Sequence, residues 1–359
     1  MKKILAYFAG FIFICFILPA ICTKTLKVDN LNTIAKENTE SEEGTEQNNQ
    51  EQNSEAQNKE IQNSEEEKQT ATAYDYNEYS TIKLLHTESA EIEELYLDDY
   101  LYGVVVAEMP ASYELEALKA QAVVARTYTI YQIQMSSNKH ESAHICDSYA
   151  CCQGWISKEE RFGKWEESER ESNWQKIEQA VNETVGKIIT YEGQPINAFF
   201  HSNSGGVTES SVNIWGGVEY PYLKSVETSG EDAYSQYSSE VSFTKEELVN
   251  KIKETHSNIE IDWNSENPVE IQEYTDSGRV RTIKFGNISI AGTEARTILG
   301  LKSTNFVISY HDDKIIFSVT GYGHGVGMSQ TGADSLAKQG IGYEDIIKHF
   351  YTGVEITNY

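Results

Sequence analysis

The chain has 359 residues and carries 56 acidic against 29 basic side chains, a formal charge of −27. That deficit excludes binding to a nucleic-acid backbone, which needs a basic stripe to neutralise phosphates, and argues against an anionic membrane surface for the same reason. With 39% hydrophobic and 11% aromatic residues, the chain still has material for one or two packed cores.

Lys2 and Lys3 precede an uncharged apolar run from Ile4 to Ile21, about long enough to cross a bilayer as a helix. The sequence Leu18-Pro-Ala-Ile-Cys22 fits a signal cleavage site poorly, so residues 1–23 read as an uncleaved transmembrane anchor in preference to a cleaved signal. Lipidation of Cys22 is the minor alternative, because Ile21 suits that modification badly. Each version places the bulk of the chain outside the cytoplasm. Residues 24–78 are dominated by Glu, Asn, Gln, Ser and Thr and cannot bury enough apolar surface to fold, which predicts an acidic, disordered linker. The folded part is then residues 79–359, and most of the negative charge stays with it.

Within that part, Ile82-Lys-Leu-Leu-His-Thr and Glu91-Ile-Glu-Glu-Leu-Tyr-Leu alternate as a strand pair. Asp98 or Asp99 is the expected N-cap of a helix over Tyr100 to Met109, which Pro110 must end by biasing Met109 out of the helical region. Ser112 is expected to open a longer helix, Tyr113 to Gln134, with Leu115, Leu118, Ala122 and Ala125 at helical spacing; the two helices should form the heart of the core. A Cys/His segment follows, then a charged helical stretch over Lys158 to Val185, then two strands around Gly193, the second running into His201. Thr244-Lys-Glu-Glu is a capping box, Val269 to Ile290 reads as strands turning at Asp276-Ser-Gly, and Asn305–Tyr310 with Ile315–Thr320 reads as a hairpin. A glycine-rich loop from Gly321 leads to two closing helices, Ser329 to Gln339 and Tyr343 to Phe350. The class is α+β, one extracytoplasmic domain after anchor and linker, without βαβ alternation or internal repeats.

Glu108 is the first chemical candidate. A carboxyl on an apolar helix, next to its negative end, is partly desolvated and should have a raised pKa, as a general acid requires. The plain alternative is a solvent-facing Glu at a helix end. The polar turn His201-Ser202-Asn203-Ser204-Gly205-Gly206 suits backbone groups approaching a ligand. A Ser/His hydrolase is disfavoured because no Gly-x-Ser-x-Gly elbow follows a suitable strand, and the Gly321–Gly327 loop has the wrong spacing for a dinucleotide. Three cysteines, Cys146, Cys151 and Cys152, lie close to His140 and His144; three thiolates and one imidazole from either histidine would close a tetrahedral structural zinc site over about 140–152. A disulfide with one free thiol, or free thiols throughout, is the competing reading.

Tyr102-Gly-Val-Val-Val-Ala-Glu-Met-Pro, Leu118-Lys-Ala-Gln-Ala-Val-Val-Ala-Arg-Thr-Tyr, Phe200-His-Ser-Asn-Ser-Gly-Gly and Gly321-Tyr-Gly-His-Gly-Val-Gly-Met-Ser-Gln resemble, in order and spacing, the motifs of the SpoIID/LytB family. The resemblance implies a lytic transglycosylase cutting peptidoglycan between N-acetylmuramic acid and N-acetylglucosamine in strands whose stem peptides have been removed, leaving 1,6-anhydro-muramyl ends. It implies that Glu108 is catalytic, and that Arg126, His201, Ser204, Gly205, His324 and Gln330 hold substrate. For zinc it points to His140, Cys146, Cys151 and Cys152, with His144 the alternative to His140 and Cys151 a departure where the family has His. It also implies a role in engulfment during sporulation, from the mother-cell membrane facing the septal wall, with an amidase and a membrane protein as partners. Two competing functions are a lysozyme-like hydrolase, which needs a second carboxylate such as Asp98, Asp99 or Glu209, and a non-catalytic scaffold that binds glycan for an amidase.

Overall fold

A computed structural model describes residues 80–135, 139–217 and 219–359; the expected anchor (1–23) and linker (24–78) lie outside the described residues. No helix among the described residues is long and apolar enough to cross a membrane. The class is α+β, as expected from the sequence.

Strands β1 (Thr81–Leu85) and β2 (Ile92–Tyr96) pair antiparallel and lead directly into α1 (Leu97–Glu108). Neither Asp98 nor Asp99 caps this helix. Tyr96 occupies the N-cap position without a side-chain cap, and both aspartates sit in the first turn, where they favour the positive helix end. The other end behaves as Pro110 requires: Met109 is extended, with φ −122° and ψ 140°, so Glu108 is the last helical residue.

Helix α2 (Leu115–Met135) is the axis of the larger core, buried from Ala117 to Ile130 at every position but Lys119 and packed against α1, α4 (Arg170–Asn182), α8 (Gln330–Lys338), α9 (Tyr343–Phe350) and β4 (Lys187–Tyr191). It begins two residues later than expected, and not at Ser112, because Tyr113 closes a turn onto the Pro110 carbonyl and Glu114 gives its N–H to Asp334 at 2.6 Å. The expected helix over 158–185 is interrupted. It is α3 (Lys158–Lys164) and α4, with Trp165 extended between them, and the break brings Phe162 within 6.2 Å of Trp165 and 6.0 Å of Trp174, ring centre to ring centre. After β4 and β5 (Gln194–Pro195), the strand expected to reach His201 is mostly irregular, and only β6 (Phe200–His201) is regular.

Two short pairings decide where the functional segments lie. Strand β3 (Ile145–Cys146) runs parallel to β1, with Cys146 opposite Leu85, so the Cys/His segment is fastened to the sheet edge. Strand β13 (Met328–Ser329) runs parallel to β6, with Ser329 opposite His201, so two motifs 128 residues apart become neighbours. Between β6 and β13 the chain passes through α5 (Ser211–Trp215) and then builds a second core. There β7 (Ser238–Thr244) pairs with β12 (Lys314–Thr320) and β12 with β11 (Phe306–His311), while β8 (Val269–Tyr274), β9 (Val280–Phe285) and β10 (Ile288–Ala291) form a separate sheet. Helices α6 (Lys245–Lys253), opened by the expected Thr244–Glu247 capping box, and α7 (Gly292–Leu299) complete it. Strand β14 (Glu355–Asn358) returns to pair with β4.

Gly103 on α1 marks a close approach: a Cβ there would lie 2.2 Å from Trp155 Nε1. Gly103→Ala should therefore lower the stability of the full chain by about 1–3 kcal/mol through overpacking. A melting temperature equal to that of wild type would place Trp155 elsewhere.

Candidate active site

Glu108 lies at the end of α1 in a groove of about 970 Å³, lined also by Gly154, Trp155, Arg161, His201, Trp215, Arg296, Tyr322, His324 and Gln330. Its Oε1 accepts the Gly154 N–H at 2.6 Å, and its Oε2 accepts the Gln330 side-chain amide at 3.2 Å. Burial raises the carboxyl pKa above its ordinary value; these two hydrogen bonds oppose that rise without cancelling it. The carboxyl is thus oriented by two fixed donors and carries a proton more readily than an exposed glutamate. Gly154 leaves little room for a side chain, since a Cβ there would stand 3.0 Å from Glu108 Oε1 and press the carboxyl out of place.

The loop that supplies Gly154 is secured on both sides. Gln153, buried, donates to the Tyr100 hydroxyl at 2.8 Å and to Thr129 Oγ1 at 2.9 Å. Immediately before it, ligand atoms of His140, Cys146, Cys151 and Cys152 all lie within 4.8 Å of one another. In a tetrahedral zinc site with Zn–S near 2.3 Å, neighbouring donors stand about 3.8 Å apart, so this set can hold a metal with small adjustments. His140 Nε2 is already 3.2 Å from Cys152 Sγ. His144 does not join the group; its Nδ1 accepts the Lys83 N–H at 3.1 Å, across the strand edge.

Also lining the groove, His201 and His324 stand 5.7 Å apart, ring centre to ring centre. Val326 fixes both rings: its carbonyl accepts from His201 Nδ1–H at 3.1 Å, and its N–H donates to His324 Nδ1 at 3.1 Å. Burial first, then the Arg279 charge, holds His201 down to about 4, and burial with the neighbouring His201 keeps His324 well below its ordinary value. Both imidazoles are therefore neutral near pH 7. His201 Nε2, with Nδ1 carrying the proton, is a buried acceptor with no partner among the described residues.

The segment carrying His201 is the expected polar turn, but it is not a loose one. Asn203 and Ser204 are buried, and Glu231, only 1% exposed, gathers the whole region. Its carboxylate accepts from the Ser204 N–H (3.1 Å), the Gly206 N–H (2.9 Å), Thr228 Oγ1 (2.6 Å), Thr331 Oγ1 (3.0 Å), and the hydroxyls of Ser204 and Ser329. Ser329 and Thr331 flank Gln330, so this buried anion fixes the backbone that delivers Gln330 to Glu108. Burial alone would raise the Glu231 pKa; the donors, Ser204 foremost, overcome it and hold the group at about 2.

Of the expected substrate contacts, His201, His324 and Gln330 line the groove, while Arg126, Ser204 and Gly205 do not. Arg126 is wholly buried, donating to the Thr184 carbonyl at 2.8 Å and pairing with Asp98 at 3.3 Å. Ser204 is spent on Glu231. Gly205 (φ 75°) packs its backbone against Thr320, where a Cβ would approach within 2.9 Å. The carboxylates considered as a second catalytic group are also elsewhere. Asp98 and Asp99 sit at the far end of α1, about 14 Å of helix away from Glu108. Glu209 is buried under hydrogen bonds from Asn213, Thr275 and Ser277, and they hold its pKa below the ordinary value against the opposing effect of burial. Sequence reasoning missed Glu231, Gly154 and Arg296. Glu231 stands in a polar Thr-Ser-Gly-Glu run indistinguishable from a surface loop, and Arg296 comes from α7, which was not expected at all.

A family model described as SpoIID, Stage II sporulation protein, matches residues 86–191. Stage II sporulation protein D of Bacillus subtilis (strain 168) is 36% identical over 279 residues, 77% of this chain and 79% of the relative. The protein of the same name from Bacillus amyloliquefaciens is 34% identical, over 77% of this chain and 78% of its own length. The Amidase enhancer of Bacillus subtilis (strain 168) is 29% identical, over 72% of this chain and 40% of the relative.

Because the Glu231 pKa is depressed on folding, its contribution to stability is complete above the unfolded carboxylate pKa and is lost as pH falls from about 4.5 through about 2. Glu231→Gln should melt earlier than wild type at pH 7, by a loss on the order of 3 kcal/mol, and should show a shallower further loss between pH 5 and pH 2. Parallel melting curves for the two proteins across that range would mean that the carboxylate is not the organising group.

Proposed function

The chain belongs to the SpoIID family, and from that premise we propose that it is a lytic transglycosylase acting on peptidoglycan glycan strands freed of stem peptides. One observation carries this reading: Glu108, whose carboxyl pKa is raised, is held by two donors in the groove, and among the described residues no second free carboxylate lies beside it. The other groove-lining carboxyls are engaged. Asp147 accepts from Thr87 N–H and hydroxyl, at 3.0 and 2.7 Å, and Glu160 pairs with Lys164 at 2.7 Å. A hydrolase of the lysozyme type divides its work between two carboxyls, whereas an intramolecular displacement needs only one.

In this mechanism protonated Glu108 gives its proton to the glycosidic oxygen between N-acetylmuramic acid and N-acetylglucosamine as the C1–O bond breaks and positive charge develops on the muramyl ring. The resulting carboxylate then takes the proton of the same sugar's C6 hydroxyl while that oxygen bonds to C1. The products are a 1,6-anhydro-muramyl end and a free N-acetylglucosamine 4-hydroxyl, and no water is consumed. The raised pKa serves the first half, and the Gly154 and Gln330 donors stabilise the carboxylate formed between the halves. Trp155, Trp215 and Tyr322 offer faces for sugar rings along the groove.

The Cys/His cluster is assigned to a structural zinc, held by His140, Cys146, Cys151 and Cys152. Four protein ligands close a tetrahedral site, so the metal would supply rigidity to the loop carrying Gly154 and Trp155. The domain is proposed to work outside the cytoplasm in sporulation, tethered through residues 1–78 to the mother-cell membrane and facing the septal wall, with an amidase and a membrane protein of the engulfment machinery as partners. The similarity to a protein named Amidase enhancer supports a partnership with an amidase.

Mass spectrometry of stem-peptide-free strands incubated with the full chain should show anhydro-muramyl ends, and Glu108→Gln should abolish them, a loss of at least about 10²-fold. Reducing ends would move the assignment to hydrolysis, and intact strands bound by folded protein would move it to a scaffold. Protein purified without chelator should carry about one zinc per chain; Cys146→Ser should lose it and melt earlier.

A further inference from the structure

Three cations line the groove, and two of them have an acidic neighbour. Lys164 pairs with Glu160 at 2.7 Å, and Arg161, which donates to the Val106 carbonyl, lies in the field of the same Glu160. Arg296 is different. It is half-buried on α7, its Nε donates to the Leu301 carbonyl at 3.3 Å, and among the described residues it has no carboxylate partner. Burial presses its pKa down, and the opposing pull comes from Tyr322, not from a carboxylate. In a chain of net charge −27, carboxylates to pair with it are abundant, so an uncancelled guanidinium in the groove marks a place for an anion that arrives from outside.

What stands beside it narrows the anion. Arg296 binds the Leu301 carbonyl, the adjacent Lys302 carbonyl accepts the Gly323 N–H one residue before His324, and the His324 ring stands 5.7 Å from that of His201, so the three groups share one part of the groove, where the Arg296 charge helps to depress both imidazoles. His201 Nε2 is a bare acceptor on a side chain 4% exposed, and no group among the described residues satisfies it. Tyr322 and Trp215, both well exposed, frame the same stretch. The stretch thus offers a planar cationic fork, a single neutral acceptor and aromatic faces. A free phosphate would use the fork and leave the acceptor empty, since it presents few protons to accept. A sugar bearing a carboxylate and an N–H or O–H group uses all three features at once.

Resting on the transglycosylase reading, we infer that Arg296 reads the free lactyl carboxylate that a muramyl residue exposes once its stem peptide has been removed, while His201 Nε2 accepts an N–H or O–H of the same sugar. Stem peptides are joined to the lactyl group through an amide. Hydrolysis of that amide leaves one negative charge on each muramyl residue, and a strand still carrying peptides presents a neutral carbonyl at that position. Arg296 is then the residue that makes the groove prefer peptide-free strands, because a neutral amide leaves the guanidinium desolvated without a counter-charge. The preference also has to act against the protein's own field, which repels a polyanionic strand.

The test compares two glycans of equal length, peptide-free strands with free lactyl carboxylates and the same strands converted to primary lactyl amides. Dissociation constants are measured on the full-length chain carrying Glu108→Gln, so that turnover does not intrude. The carboxylate strand should bind roughly tenfold more tightly, the ratio should fall toward one when Arg296→Gln is added, and Arg296→Lys should restore part of it. Equal binding of the two strands by the protein with Arg296 intact overturns the inference. So does an Arg296→Gln variant that loses the same factor on both strands, since that is the mark of a purely structural residue. If Arg296→Gln does not fold, the two-strand comparison and the Lys variant still decide. Absence of anhydro ends from wild-type digests would remove the transglycosylase assignment, and the ratio of dissociation constants would stand or fall separately.

Discussion

The site depends on one constraint: the Glu108 carboxyl is the meeting point of three stretches of chain that lie far apart in sequence. The helix end places it, a loop donor 46 residues later takes one oxygen, and a side-chain amide 222 residues later takes the other. Each partner is itself held by something rigid. Gly154 follows Gln153, which is bonded into the α1–α2 core, and Gln330 is bracketed by two hydroxyl residues bound to Glu231. A carboxyl in a partly desolvated groove costs free energy when ionised, and these two donors set how much of that cost remains.

Much of this was legible in the sequence where the signal was periodic or local. The α1 and α2 helices, the stop at Pro110, the Thr244 capping box, the β11–β12 hairpin and both closing helices follow from patterning and from turn and cap chemistry. Glu108 stood out because a carboxyl interrupted an apolar helix. Legibility failed where long-range partners decide. Asp334 starts α2 from a distance, which no local cap signal at Ser112 could reveal. Arg126 sits in a strong motif, yet its motif serves the core, where it binds carbonyl groups of the 181–187 turn. The 201–206 turn is rigid only because a distant glutamate with no distinguishing neighbours is buried beneath it.

The two cores contribute unequally but jointly to the groove. The larger one, built around α2, supplies Glu108, the Cys/His loop and Gln330. The smaller one, between the strand segments that carry His201 and Ser329, supplies Arg296 from α7 and leads by β12 into the glycine-rich loop that carries Tyr322 and His324. Gly325 and Gly327 in that loop are positions where a side chain would strike Arg279 and the Phe199 carbonyl, respectively, so its glycines serve close backbone packing and not phosphate binding.

The two-residue pairing of β6 with β13 has a kinetic meaning. A chain threaded N-terminus first can form α1 and α2 from contacts close in sequence, and such low-separation contacts form early. Gln330 and the hydroxyls bound to Glu231 come much later, after the whole second core has been synthesised. A nascent or truncated chain can therefore pack α1 on α2 long before it owns a groove able to hold a glycan, while the face of α2 that α8 and α9 cover waits for the same late segment, and the cutting activity proposed for it would stay unassembled until the last quarter of the polypeptide had joined.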